Sequence, residues 1–101
     1  MSQVIGLDKD LEKVKFEAGM YLEIHLGNML YPGMPVRAVI NGEEMYKVPI
    51  KSSSDETNSL IFGYLYIDTQ TMKVDKTLSS SRDDIDKVAK ETITQNESTL
   101  L

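Results

Sequence analysis

His25 is the only imidazole in this chain of 101 residues, and it stands four residues after Tyr21, on or beside an apolar stripe. Histidine changes charge near neutral pH, so it serves as a general base where a carboxylate such as Glu23 orients it. A base also needs a nucleophile or substrate group beside it, and the sequence signals none. His25 is therefore read as a packed or interface residue, with a role in a ligand pocket as the alternative.

Carboxylates come in pairs at Glu43-Glu44, Asp55-Glu56 and Asp83-Asp84, each in a turn, a loop or a helix start. Hydrolytic or cation chemistry needs two such groups converging in a cleft. These pairs read as solvated, and the run Asp55, Glu56, Asn58 lacks the glycine and distal glutamate of a calcium loop. The chain has no cysteine, which excludes disulfides, thiolate metal sites and cysteine nucleophiles. It also has no phosphate-cradling glycine loop and no nucleophile elbow. The sequence thus assigns no catalytic residue, no metal ligand and no cofactor.

The aromatic residues have two readings. Tyr64 and Tyr66 share one strand face with Phe62, and Tyr46 can join them from a neighbouring strand. That layer is either core or a ligand-binding patch between helix and sheet, to which Met20 adds. Met20, Met29 and Met34 gather at the apolar end of a helix, where flexible thioethers make an adaptable contact surface. Met20, Tyr21, Ile24, His25, Met29 and Tyr31 form the expected partner-binding surface.

The elements that position these residues follow from spacing. Leu7, Leu11, Val14, Ala18, Tyr21, Leu22, Leu26 and Met29 recur at helical intervals, which predicts a long helix over Asp8 to Leu30 with Asp8 at its cap. Gly27-Asn28 is an earlier possible end. The half from Met20 to Leu30 is apolar over most of its circumference and must be covered on most sides. Tyr31-Pro32-Gly33 then turns the chain, and Met34 to Ile40 alternates as a half-buried strand does.

Asn41-Gly42 is a hairpin signal. A two-residue loop would pair Val36 with Lys47, leaving Tyr46 and Val48 on the opposite face from Val36 and Ala38. A three-residue loop of Ile40, Asn41 and Gly42 pairs Val36 with Tyr46 and aligns the apolar faces, so that register is expected. Pro49 implies an edge or a bulge in the strand Met45 to Lys51. The polar run Ser52 to Asn58 reads as a mobile loop. Ser59 to Asp68 is apolar on both faces from Leu60 to Ile67 and predicts a central strand, and Met72 to Asp75 predicts a short last one.

Ser79-Ser80-Ser81 before Asp83-Asp84 forms a capping box for a short C-terminal helix striped by Ile85, Val88, Ala89 and Ile93. The whole reads as an α+β fold with a long N-terminal helix, a three- to four-stranded antiparallel meander and a short C-terminal helix. Residues 1–95 form one domain, and residues 96–101 form a frayed tail.

A net charge of −5 repels phosphate backbones unless Lys47, Lys51, Lys73 and Lys76 collect on one face. Acidic residues are interleaved with them, so nucleic acid is not an expected partner. No window is long enough to span a membrane, and Met1 to Lys9 lacks a basic and apolar leader, which predicts a cytoplasmic protein.

Two segments, Met45-Tyr46-Lys47-Val48-Pro49-Ile50 and Gly63-Tyr64-Leu65-Tyr66-Ile67-Asp68-Thr69-Gln70-Thr71-Met72-Lys73-Val74, resemble PepSY-like domains. Those modules place an aromatic-Val strand before a strand ending in Val-Asp-Ala-x-Thr-Gly-Lys-Val. The resemblance covers under a third of the chain, and Met72 stands where the family has Gly. It implies a meander with a tight turn after Asp68 and a role in binding or restraining partner proteins, including peptidases. Asp68 and Thr71 are suited to bond the amides of such a turn.

The expected function is a non-enzymatic interaction or regulatory module, of inhibitor, immunity or antitoxin type. It would act on a protein partner or as a homodimer through its apolar helix end and sheet face. The alternative is a small-ligand-binding domain with Tyr46, Phe62, Tyr64 and Tyr66 lining the pocket and His25 as its catalytic group.

Overall fold

Val14, Ala18, Leu22 and Leu26 recur every four residues, and the helix they form lays that stripe on a sheet. The computed structural model describes the backbone of residues 2–27 and 29–100, with side chains over 10–27 and 29–91. Helix α1 spans Ser2–Tyr21 and continues as a π-helical turn at Leu22–Leu26. The Gly27 amide closes that turn by donating to the Leu22 carbonyl, five residues back, at 2.7 Å. Gly27 has φ 128° and ψ 156°, a conformation open essentially to glycine alone, and the chain leaves the helix there. The helix therefore ends before Leu30, at the earlier of its two possible ends. The helix starts at Ser2, so Asp8, expected as its cap, lies within it and does not cap it.

Strands β1 (Leu30–Pro32), β2 (Val36–Ile40), β3 (Glu43–Ser52) and β4 (Gly63–Asp68) form one antiparallel sheet. The Tyr31-Pro32 segment, expected as a turn, is thus largely strand. β3 is the central strand. Its C-terminal end pairs with β1 and its N-terminal half with β2, both on one side, while β4 runs along the other. This corrects the expectation of a central strand at Leu60 to Ile67.

The outer side of β4 is covered by the segment leading into the last helix. The Tyr64 and Tyr66 amides donate to Ser80 Oγ and Ser79 Oγ, each at 2.9 Å, and the Ser80 and Asp75 amides return bonds to the Tyr64 and Tyr66 carbonyls at 2.8 Å. The last strand expected at Met72 to Asp75 contracts to a single bridge between Ile67 and Val74. Serine hydroxyls meet the remaining backbone requirement in its place.

The hairpin register differs from the expected one. Asn41 (φ 53°) and Gly42 (φ 81°) are both left-handed, which makes a two-residue type I′ turn, and Val36 pairs with Lys47, Arg37 with Tyr46 and Ala38 with Met45. The three-residue loop rested on a single apolar face shared by β2 and β3. In the structure Tyr46, Val48 and Ile50 turn towards α1, whereas Val36, Ala38 and Ile40 turn with Met45 and Lys47 to the opposite face, which α1 leaves open although Met45 on it is buried. Val36 stays 54% exposed, so the core forms without it.

Between helix and sheet, Val14, Ala18 and Leu22 meet Tyr46, Val48, Ile50, Leu65 and Ile67, with Phe62 and Ile85 closing one end. Ile85 belongs to α2, Arg82–Leu100, whose start carries the predicted capping box. The Ser81 amide donates to Asp84 Oδ2 at 2.9 Å, and the Asp84 amide to Ser81 Oγ at 3.2 Å. The expected fraying of residues 96–101 falls outside the residues with described side chains. The fold is α+β, as the spacing predicts.

Candidate functional site

On a helix seated on a sheet, residues two positions from the buried stripe point to solvent. Those positions hold Phe16, Met20 and Ile24, which are 64%, 44% and 66% exposed. Apolar side chains four residues apart on the outer side of α1 and its π-helical turn serve no core. Beside them runs a groove of about 470 Å³, walled by Phe16, Gly19, Met20 and Glu23 on the helix and by Leu30, Tyr31 and Pro32 on β1. At Gly19 the helix lies against the Pro32 ring, which a Cβ there would meet at 3.8 Å, an ordinary packing distance.

Of the residues expected to bind a partner, Met20, Tyr31 and the neighbouring Ile24 meet at or near this groove. Tyr21 is half-buried against the core, and His25 lies against it with ring centroids 4.6 Å apart at 39°. Met29 is exposed beyond the helix, where its carbonyl accepts from the Ser53 amide at 2.8 Å. Among the described residues His25 has no carboxylate partner. The Tyr31 hydroxyl donates to Asn58 Oδ1, and Lys51 Nζ donates to the Asn58 carbonyl at 2.9 Å, so one asparagine ties the 53–62 loop to the sheet.

The four residues expected to line a ligand pocket do not converge. Tyr46 (2% exposed) and Phe62 (7% exposed) are core residues. Tyr64 and Tyr66 stand opposite Pro49 and Lys47 on the open face, as the hairpin register requires. There Lys47 Nζ sits 4.2 Å from the Tyr64 ring centroid, a cation–π contact between two half-buried side chains.

At the other end of the sheet, Arg37 bonds Glu44 at 2.9 Å, reaches the Tyr46 hydroxyl at 3.5 Å and lies over the Tyr46 ring at 5.4 Å. The hydroxyl contact, helped by the Glu44 charge, raises the guanidinium pKa further above its already high value. This fixes a cation at the rim but gives it no acid–base role near neutral pH.

The carboxylate pairs are used locally. Asp55 accepts from the Thr57 hydroxyl at 2.6 Å and from the Thr57 and Leu60 amides, bonds that hold its pKa below the ordinary value. Asp84 is lowered in the same way by the Ser81 amide and hydroxyl. Glu43 and Glu44 line a polar depression of about 490 Å³ with Asp68, but Asp68 Oδ1 is occupied by the Gln70 and Thr71 amides. Among the described residues no three His, Asp or Glu side chains come together as a metal site, and no helix is long and apolar enough to cross a membrane.

Sequence reasoning passed over Arg82. Its Nη1 donates to the Leu26 carbonyl, and it borders a cleft of about 180 Å³ lined by Leu26, Phe62, Ile85, Ala89 and the hydroxyls of Ser52 and Ser54. Its partner lies 56 residues away in the chain, so no local pattern announces it. Comparison with family models, with curated proteins and with solved structures found no match to this chain.

Proposed function

We propose that this protein is a non-enzymatic interaction module that docks another protein on the outer face of its N-terminal helix. The observation carrying this reading is the exposure of Phe16, Met20 and Ile24 in one row beside an apolar groove. Exposed apolar side chains in a contiguous row mark interaction sites more often than scattered ones do. Met20 and Met29 lend the surface the pliability that such contacts use. The PepSY-like pattern over Met45 to Val74 supports the same class of function, since those modules restrain partner proteins. The inhibitor, immunity or antitoxin type remains the finer form of the proposal.

The test is affinity capture from the native lysate with the wild-type chain, compared with Phe16→Asp and Ile24→Asp. Both side chains are about two-thirds exposed, so both variants should fold. A specific partner lost from both supports the reading. Identical capture by all three chains, or none by the wild type, overturns it.

A small-ligand site is the second reading, and the cleft beside Phe62 and Arg82 favours it. Fragment screening by NMR tests it. Shifts confined to Ile85, Ala89 and Phe62 support the site, and their absence removes it.

A further inference from the structure

Backbone groups along the rim of a sheet need partners, and this fold supplies them unevenly. The β4 rim is satisfied by Ser79, Ser80 and Asp75. On the other rim β1 is three residues long and carries Pro32, which has no amide to offer. β2 is different. Because Asn41-Gly42 is a two-residue loop, Ile40 and Glu43 close the ladder, and Val36, Ala38 and Ile40 turn their amides and carbonyls towards β3. Arg37 and Val39 turn theirs outward, and among the described residues no backbone group pairs with them.

The usual protections of an edge strand are missing from β2. It has no proline and no bulge, and its register runs without interruption from Val36 to Ile40. Its one charge, Arg37, is drawn back onto Glu44 and Tyr46 and does not guard the edge. Val39 is 69% exposed.

We infer that β2 is the interface of a homodimer, pairing antiparallel with β2 of a second copy about a two-fold axis at Ala38. In that register Arg37 lies opposite the partner's Val39 and Val39 opposite the partner's Arg37, and each pair exchanges two backbone hydrogen bonds. On the open face Val36 meets the partner's Ile40, and Ala38 meets the partner's Ala38, so apolar groups face apolar groups and no like charges are opposed.

The strand is complementary to itself, which is why a second copy is the occupant. The joined sheet ends on both sides at rims covered by serine, so this pairing closes at two copies. The interface is separate from the Phe16, Met20 and Ile24 row, and the two readings fail independently.

Light scattering after size exclusion, at micromolar concentration, should give the mass of two chains. Val39→Pro removes only an outward amide and leaves the ladder to β3 intact. It should raise the dissociation constant about a hundredfold or more, with an unchanged circular dichroism spectrum. Val39→Arg, set against the partner's Arg37, should do the same and decides the matter if the proline variant does not fold. Met20→Lys should leave the dimer intact. In hydrogen exchange the Arg37 and Val39 amides should be protected in the dimer and exchange freely on dilution. A wild-type chain that stays monomeric, a dimer that survives Val39→Arg, or free exchange of those two amides in the dimer overturns the proposal.

Discussion

Arg82 Nη1 donates to the Leu26 carbonyl at 2.6 Å, so the first residue of α2 closes the last turn of the N-terminal helical segment. The carbonyls at a helix C-terminus lack intrahelical partners and carry the negative end of the dipole, and a guanidinium satisfies both conditions. Arg82→Ala should lower unfolding free energy by about 1–2 kcal/mol in urea denaturation, and Arg82→Lys by less. An unchanged midpoint for the alanine variant would show that the contact contributes nothing.

The type I′ turn makes a conformational prediction. A Cβ at Gly42 would meet no atom within 4 Å, so the whole effect of Gly42→Ala comes from its φ of 81°. The cost should be about 1 kcal/mol, read as a lower thermal midpoint with an unchanged circular dichroism spectrum. Gly27→Ala should cost more, since φ 128° with ψ 156° lies outside every region a Cβ tolerates well.

The serine-covered rim of β4 is the third test. Ser80→Ala removes the acceptor of the Tyr64 amide and should destabilise by about 1–3 kcal/mol. Gly63→Ala should disturb the same place, because a Cβ there would lie 2.5 Å from Ser80 Oγ and 2.7 Å from its Cβ. Hydrogen exchange at Tyr64 should quicken in both variants and remain slow in a Val36→Ala control.

Acid stability depends on Asp55 and Asp84. Both have folded pKa values below the ordinary 3.8, because amides and hydroxyls bond their charged forms. Their stabilising contribution is complete above pH 3.8 and is lost as pH falls through the lower folded values. Urea midpoints should therefore drop below about pH 4. In Asp55→Asn with Asp84→Asn the midpoint should be lower at neutral pH and should vary less on the acid side. An acid slope equal to that of the wild type would refute the assignment.

Some of this molecule is legible in neighbouring residues alone. Val14, Ala18 and Leu22 declare the helix and its buried side, Asn41-Gly42 declares a hairpin, and Ser81 with Asp84 declares the start of α2. Asp68 and Thr71 likewise organise their turn by accepting from amides two or three residues on. Met72 takes φ 58° inside it despite its side chain, since its amide is held by the Asp68 carbonyl at 2.9 Å. Each of these features rests on groups within a few positions of one another, which is what a sequence pattern can record.

Tertiary structure decided which apolar face the sheet buries and which it leaves open. Val36, Ala38 and Ile40 alternate as well as Tyr46, Val48 and Ile50 do, yet α1 covers only the second set. The pairing of Tyr64 with Ser80 and of Arg82 with Leu26 was equally out of reach, because those contacts join segments 16 and 56 residues apart. The same holds for the row of Phe16, Met20 and Ile24. Met20 and Ile24 belong to the apolar helix end that the spacing shows, Phe16 does not, and the exposure of all three follows only from where the helix comes to rest on the sheet.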